Sequence, residues 1–426
     1  MREMKDSGIE WIGEIPADWE VSTIKHEYAF QTGWTPDTTH EEYFTGENIW
    51  INISDMKSKV VFDSEKHISD EAIQLASMNV SPKGSLLYAF KLSVGAVSFC
   101  GTDMYTNEAI ATFLPGKNNL RFLYYMAPIF IIKNANENIY GAKLLNQKLI
   151  KNAKIVIPPL DVQERIADYL DRKCSQIDAI IARQQEVIEK LKAYKLSVIT
   201  EAVTKGLNPN VPMKDSGVEW IGEIPQFTTV TCARHLYEIV LGKMLSPTPK
   251  SEEDTLESYF CAANVHFSDI DYTNLKTMWF SKEERRNYLV NTGDLLIVEG
   301  GAGAGGAHIV EKSVENCYIQ NSIMIARSKS SASNKWLYYT LYSLVKREYV
   351  DFVCNKATIP HFTKDKLGNT PVVLFPREIE ETIIAFLDEK CSNIDKLIFQ
   401  KTRAIEKLTD YKKSLIYEVV TGKKEV

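Results

Sequence analysis

The sequence lacks the features that mark secreted, metal-binding and membrane proteins. Its seven cysteines among 426 residues form no CxxC pair, which predicts free thiols in a reducing cytoplasm rather than a disulfide framework. Cys232 and His235 lie three residues apart, but no second pair lies near them to complete a zinc site. The first residues are charged and no apolar run is long enough for a membrane span, so we expect neither a signal peptide nor a membrane segment.

Signatures of catalysis are missing as well. The sequence has no Walker lysine motif, no Gly-x-Ser-x-Gly, no zincin motif and no Asn-Pro-Pro-aromatic motif of amino-methyltransferases. The run GAGAGG at residues 301–306 satisfies the GxGxxG pattern, but strand-like segments follow it where a dinucleotide fold needs a helix. We therefore interpret it as a connection between strands and expect no cofactor bound by this chain.

The charge balance excludes one class of nucleic-acid binder. A formal net charge of −6 and a pI near 5.8 argue against binding over the whole surface. They leave room for a local basic cleft, because phosphate attraction depends on where lysines and arginines lie.

Two internal repeats are what the sequence does contain. The segment MKDSGIEWIGEIP at residues 4–16 returns as MKDSGVEWIGEIP at residues 213–225. Residues 160–206 align without a gap on residues 377–423, sharing Leu-Asp-x-Lys-Cys-Ser, Ile-Asp and Tyr-Lys. The chain is therefore a tandem duplication, and each half contains a short motif, a domain and a long helical segment.

The second repeat predicts two long helices that pair as an antiparallel coiled coil. Neither copy has an internal Pro or Gly, and apolar residues alternate at spacings of three and four, the period of a coiled-coil seam. Polar residues interrupt both seams at the same places, Gln184 with Lys401 and Lys195 with Lys412, as register-setting residues would. The predicted helix-pairing residues are Leu170, Ile177, Ile181, Ile188, Leu191, Leu387, Ile394, Ile398, Ile405 and Leu408.

Between the repeats lie two domains of different sequence, in which the same local patterns follow one another in the same order. Turn-then-strand signals, an aromatic helix and a closing apolar strand predict an α+β fold in each. The predicted segments are the first motif (1–16), domain 1 (17–158), the central helix (159–206), linker with second motif (207–225), domain 2 (226–375) and the C-terminal helix (376–426).

With these repeats and helices, the sequence resembles the specificity subunit of a type I restriction-modification system. The resemblance covers the whole chain, and the repeats are its specific part. It implies two target recognition domains that each read one half of a bipartite site on double-stranded DNA, with the paired helices fixing the gap between the halves. It further implies docking of two methyltransferase subunits and recruitment of restriction/translocase subunits. S-adenosylmethionine, ATP and Mg²⁺ would serve those partners, and this chain would be non-catalytic.

Direct readout and phosphate anchoring require polar and basic side chains on loops. The predicted DNA-binding residues in domain 1 are Thr35, Lys91, Ser93, Lys143, Asn146 and Gln147. Those in domain 2 are Lys243, Ser246, Arg285, Arg286, His361, Thr363 and Lys364.

Two other functions remain open on the sequence alone. The recognition subunit of a related restriction-modification enzyme, with a fused methyltransferase-nuclease partner, could share this plan. A coiled-coil adaptor with no role in DNA binding would explain the helices. It would not explain why two diverged domains are each flanked by the same repeated motif and helix.

Overall fold

A computed structural model of the chain describes residues 2–137, 141, 143–312, 314–329, 332–354 and 360–426. The chain divides into two compact units, residues 1–184 with 403–426 and residues 185–402. Each unit therefore contains one globular domain together with parts of both long helices.

The first unit is built on a five-stranded sheet in the order β4-β11-β8-β9-β6, beside a three-stranded sheet in the order β10-β5-β7. Its central strands, β8 and β11, are buried along their length. The strands are β1 (Met4–Asp6), β2 (Glu14–Pro16), β3 (Glu20–Thr23), β4 (Phe30–Thr32), β5 (Asn48–Ile51), β6 (Val60–Val61), β7 (His67–Ile68), β8 (Leu86–Ala89), β9 (Val97–Cys100), β10 (Tyr105–Thr106), β11 (Ile110–Phe113), β12 (Asn136–Glu137), β13 (Lys143–Leu144) and β14 (Lys154–Ile157). The helices are α1 (Ile24–Glu27), α2 (Asp70–Ala76), α3 (Leu120–Phe130), α4 (Gln147–Lys151) and α5 (Leu160–Lys205), of which α5 continues into the second unit.

The second unit repeats this plan with a four-stranded sheet, β18-β24-β21-β22, and a three-stranded sheet, β20-β19-β23. Its strands are β15 (Met213–Asp215), β16 (Glu223–Pro225), β17 (Thr229–Cys232), β18 (Tyr237–Leu241), β19 (Thr255–Phe260), β20 (Lys276–Phe280), β21 (Leu295–Val298), β22 (Ala307–Ile309), β23 (Cys317–Ile319), β24 (Ile323–Ser328) and β25 (Pro371–Leu374). Its helices are α6 (Ala233–Leu236), α7 (Lys282–Tyr288), α8 (Asn334–Lys346), α9 (Tyr349–Val353), α10 (Lys364–Gly368) and α11 (Arg377–Val420), of which α11 ends in the first unit.

Strand pairing shows that the two domains share one topology. In the first, β3 pairs antiparallel with β14 and β5 pairs parallel with β10. In the second, β17 pairs antiparallel with β25 and β19 pairs parallel with β23. The predicted α+β fold with an internal pseudo-repeat is confirmed. The glycine-rich run at 301–306 joins the antiparallel strands β21 and β22, so it is a strand connection, as predicted.

The two long helices are α5 with 46 residues and α11 with 44. In each unit the N-terminal part of one packs on the C-terminal part of the other, so the pairing is antiparallel. In the first unit, Leu170 and Ile177 of α5 share a core with Leu415 and Val419 of α11. In the second unit the parts are exchanged, and α5 contributes Ile199, Ala202 and Val203 to the core that holds Ile383, Leu387 and Cys391 of α11. All ten predicted pairing residues are buried or half-buried, as a seam of this period requires.

The short repeated motifs fold as hairpins that pack on the C-terminal ends of these helices. In the first unit, Ile12 and Ile15 lie in the same core as Val419, and the Tyr417 hydroxyl donates a hydrogen bond of 2.9 Å to the Trp11 carbonyl oxygen. In the second unit, Ile221 and Ile224 lie in the core that contains Val203. Each motif therefore joins one end of a long helix to the adjacent domain.

Candidate nucleic-acid interface

One end of the first domain gathers the loops that follow strands β4, β8 and β10. Gly33 lies so close to β10 that a Cβ atom on it would be 1.7 Å from the Thr106 carbonyl oxygen. The Trp34 amide then donates a hydrogen bond of 2.9 Å to that same oxygen. Gly242 repeats the arrangement in the second domain, where a Cβ would lie 2.4 Å from the Gln320 carbonyl oxygen. A side chain at either glycine would displace the loop that carries the candidate residues.

Glu108 brings together two of the predicted DNA-binding residues of domain 1. The Lys91 ammonium lies 3.2 Å from one Glu108 carboxylate oxygen, and the Thr35 hydroxyl donates a hydrogen bond to the other. Burial alone would raise the pKa of Glu108, but the hydrogen bonds from Thr35 and Lys91 outweigh it and hold that pKa below its ordinary value. Sequence reasoning missed Glu108, because an acidic residue gives no signal of contact with a negatively charged partner. In this structure it orients Lys91 and Thr35.

The other candidates in domain 1 divide between contacts that shape a loop and exposed positions. Gln147 donates a hydrogen bond of 2.9 Å to the Thr32 hydroxyl, next to the Gly33 loop. Asn146 caps helix α4 by accepting from the Leu149 amide at 2.9 Å. Lys143 pairs with Glu137 across the β12–β13 hairpin. Ser93 is exposed, with a left-handed φ of 47°.

The sequence predicts Lys243 and Ser246 as exposed DNA contacts, but the structure buries both side chains. The Lys243 ammonium is 2.7 Å from the Trp279 carbonyl oxygen, donates to a carboxylate oxygen of Glu284, and lies over the Phe280 ring. The Ser246 hydroxyl donates a hydrogen bond of 3.3 Å to the Thr248 carbonyl oxygen. Neither side chain presents a donor to a base edge, so both are framework residues of the Gly242 loop.

The remaining candidates in domain 2 lie on α7, α10 and the segment before α10. Arg285 approaches Glu257 at 3.7 Å, whereas Arg286 is exposed. His361 Nδ1 lies 3.2 Å from a Glu299 carboxylate oxygen. Thr363 caps α10, and Lys364 is its exposed first residue.

The structure brings Arg286 and Lys364 to one open cavity of about 700 Å³. Arg234, Arg327 and Lys329, three cations that the sequence reasoning did not select, also line it. Five cations face two lining carboxylates there, those of Glu238 and Asp365, and Arg327 is paired with Asp294 behind the cavity wall, which leaves a surplus of two positive charges. This is the local basic cleft that a net acidic chain requires in order to bind phosphate.

Arg327 forms the fixed wall of this cavity. Its guanidinium donates to both Asp294 carboxylate oxygens, at 2.8 and 2.6 Å, and to the Leu289 carbonyl oxygen at 2.6 Å. The hydrogen bonds that Arg327 donates to the Asp294 carboxylate hold the pKa of Arg327 above its ordinary value. Four cations of the cavity are exposed, Arg234, Arg286, Lys329 and Lys364. The Lys329 ammonium donates a hydrogen bond of 2.8 Å to the Arg234 carbonyl oxygen, whereas Arg286 and Lys364 lie on α7 and α10 and are suited to reach a phosphate.

Other kinds of site have no support in the described part of the chain. All seven cysteines are free. Among the described residues, no three His, Cys, Asp or Glu side chains lie together as metal ligands would. Within the same described residues, no helix has the length and apolar character of a membrane span.

Comparisons with known proteins agree with this architecture. Residues 16–190 match the family model described as Type I restriction modification DNA specificity domain. The chain is 23% identical to the type I restriction enzyme MjaIX specificity subunit of Methanocaldococcus jannaschii, over 97% of this chain and 95% of that protein. It is 22% identical to the Escherichia coli EcoR124I/EcoR124II specificity subunit, over 52% of this chain and 48% of that protein.

Two solved structures have the same fold. A chain from a structure titled as complex assembly and conformational transition of the type I R-M system superposes with a TM-score of 0.72 at 14% identity, covering 96% of this chain and 99% of that one. The HsdS subunit from Thermoanaerobacter tengcongensis superposes with a TM-score of 0.52 at 14% identity, covering 96% and 98%.

Proposed function

Because the chain is a specificity subunit of the type I restriction-modification family, we propose that it selects the DNA sequence on which its partner subunits act. Each domain reads one half of a bipartite site, and the helix pair α5 and α11 holds the two readers at a fixed separation. The observation that carries this proposal is that the same structural elements occur in both units while the sequences of their loops differ. The hairpin motif, the order of four shared sheet strands and the long helix recur in both units, whereas the loops that carry the candidate contacts differ.

The two domains would contact DNA through different chemistry. In domain 1, Lys91 and Thr35 lie on two neighbouring loops and are oriented by Glu108. In domain 2, Arg286 and Lys364 at the mouth of the basic cavity would anchor phosphates. Phosphate contacts fix the position of a reader on the duplex and base contacts give its specificity. A domain with different loops on the same frame therefore reads a different half-site.

Partner subunits would supply the chemistry. The hairpin motifs at residues 4–16 and 213–225 occupy equivalent positions on the ends of α11 and α5, so they offer the same surface twice. Two copies of one methyltransferase subunit would dock there, and restriction/translocase subunits would join that assembly. S-adenosylmethionine, ATP and Mg²⁺ would be bound by these partners, and this chain would contribute the choice of sequence.

The cavity in domain 2 gives a direct test. The double variant Arg286→Gln/Lys364→Gln, assembled with the methyltransferase partner, should bind a cognate duplex more weakly. Its salt dependence, the slope of log K against log salt, should fall by about 0.9 per lost phosphate contact, roughly 1.8 in all. The control is Lys276→Gln, which removes an exposed charge of β20 outside the cavity. An unchanged slope in the double variant would exclude this cavity from the DNA interface.

A further inference from the structure

The polar interruptions of the two helix seams form reciprocal ion pairs. In the second unit, the Lys195 ammonium of α5 lies 2.8 and 2.7 Å from the two Asp395 carboxylate oxygens of α11. In the first unit, the Lys412 ammonium of α11 lies 2.7 and 2.6 Å from those of Asp178 on α5. Each lysine is therefore bound at a seam position by a carboxylate from the opposite helix.

Both pairs specify the same antiparallel register. Lys195 follows Asp178 by seventeen residues on α5, and Lys412 follows Asp395 by seventeen residues on α11. One sliding movement of the helices would therefore break both pairs together. An apolar seam with a seven-residue period would otherwise match again after a slide of one heptad.

The sequence contains a competing register one heptad away. A slide in one direction would bring Lys195 opposite Asp388 and Lys412 opposite Asp171. A slide in the other direction would bring these lysines opposite Thr402 and Gln185, which carry no charge. Only the first alternative offers each lysine a carboxylate.

The carboxylates that would pair with the lysines in this alternative register, those of Asp171 and Asp388, are already bound by side chains of the domain in their own unit. In the first unit, Asp171 accepts from the Tyr125 hydroxyl at 2.6 Å and pairs with Arg121 at 2.7 Å. In the second unit, Asp388 accepts from the Tyr339 hydroxyl at 2.7 Å and pairs with Lys335 at 2.6 Å. The domain helices α3 and α8 thus withdraw the alternative partners from Lys412 and Lys195.

We propose that the pairs Lys195–Asp395 and Lys412–Asp178 set the register of the helix pair and thereby the gap between the two half-sites, while Tyr125 and Tyr339 block the competing register. This inference rests on the proposed function, which makes the helix pair a spacer. A slide of seven residues at about 1.5 Å per residue moves one helix by about 10 Å. At about 3.4 Å per base pair, that changes the gap by roughly three base pairs.

The test removes the native partners of both lysines and the tyrosine hydroxyls that bind the competing carboxylates. The variant Asp178→Asn/Asp395→Asn/Tyr125→Phe/Tyr339→Phe should populate the slid register, whereas Asp178→Glu/Asp395→Glu should keep the native one. Spin-labelled side chains replacing the exposed Arg172 and Glu389 report the register through their dipolar distance. We expect a second distance population shifted by about 10 Å in the fourfold variant alone. A single unshifted distance in a folded fourfold variant overturns the inference.

Sequencing of methylated DNA separates this inference from the proposed function. Cells that express the fourfold variant with the methyltransferase partner should methylate the same half-sites, with part of the sites carrying a gap changed by about three base pairs. An unchanged gap would refute register control and leave the recognition function standing. Absence of a split motif with the unsubstituted chain would refute the proposed function, and the spin-label distances would still decide the register.

Discussion

Truncation of Ile177 should weaken the first unit, because this residue joins α5 to the end of α11. Its side chain is 6% exposed and lies in the core that contains Leu415 and Val419. Ile180, three residues along the same helix, is 47% exposed. The pair offers a matched comparison of one residue type on one helix, inside and outside the seam.

The expected magnitude follows from burial. Replacing a buried isoleucine by alanine costs about 2–5 kcal/mol, through lost transfer free energy and the cavity left behind. For a folding unit of about 200 residues, 1 kcal/mol corresponds to roughly 2–4 °C in the unfolding temperature. Ile177→Ala should therefore lower the unfolding temperature of the first unit by roughly 4–20 °C, and Ile180→Ala by no more than about 2 °C.

Differential scanning calorimetry of the full chain measures both variants. The second unit supplies an independent repeat, since Ile394 is 4% exposed and Leu397 is 44% exposed. Ile394→Ala should lower the transition of the second unit, and Leu397→Ala should leave it nearly unchanged. Equal shifts for the seam and surface variants would refute the assignment of Ile177 and Ile394 to the helix interface.

Three further changes test the loops and the domain contacts. Gly33→Ala should lower the unfolding temperature and weaken DNA binding by the methyltransferase complex, because the added Cβ would meet the Thr106 carbonyl oxygen. Gly116→Ala is the control and should change neither quantity, because the nearest atom to its Cβ is 3.9 Å away. Equal effects of the two substitutions would refute this view of the loop. Lys243→Met should lower the free energy of unfolding by roughly 2–4 kcal/mol in calorimetry, because it leaves Glu284 without its buried partner. A changed salt dependence of DNA binding without loss of stability would instead identify Lys243 as a phosphate contact. Burial raises the pKa of Asp171, but hydrogen bonds from Lys59, Tyr125 and Arg121 outweigh it and hold that pKa below its usual 3.8. The stabilisation by the ionised Asp171 is therefore present above about pH 4 and lost as pH falls through the folded-state pKa. The difference in unfolding temperature between the unsubstituted chain and Asp171→Asn should shrink on acidification. A difference that does not depend on pH would contradict this.

The duplicated parts of the fold could be predicted from the sequence, because repetition and period are properties of the sequence itself. The seam residues from Leu170 to Leu408 follow from spacing alone, and so do the two long helices. The strand-like pattern after the glycine-rich run at 301–306 predicts a strand connection, and the run joins β21 to β22. The matched motifs at residues 4–16 and 213–225 predict a tandem arrangement from the sequence alone.

The loop contacts could not be predicted, since they depend on which side chains meet in three dimensions. Lys243 follows a turn glycine and looks exposed in sequence, yet at 7% exposure it is buried against Glu284 and Phe280. Arg327 lies on β24, far along the chain from Arg286 and Lys364, and the fold alone brings the three to one cavity. Glu108 carries the charge opposite to that expected near DNA, so a search for basic residues passes over it.

The most direct test of the account is the methylome of cells that express this chain with its methyltransferase partner. A second strain should carry substitutions only in the domain 2 cavity, Arg286→Gln with Lys364→Gln. The account predicts a split motif with a fixed gap in the first strain, and in the second strain lower occupancy of those sites with the domain 1 half unchanged. A continuous motif, or no methylation that depends on this chain, would contradict the assignment of two readers held apart by a helix pair.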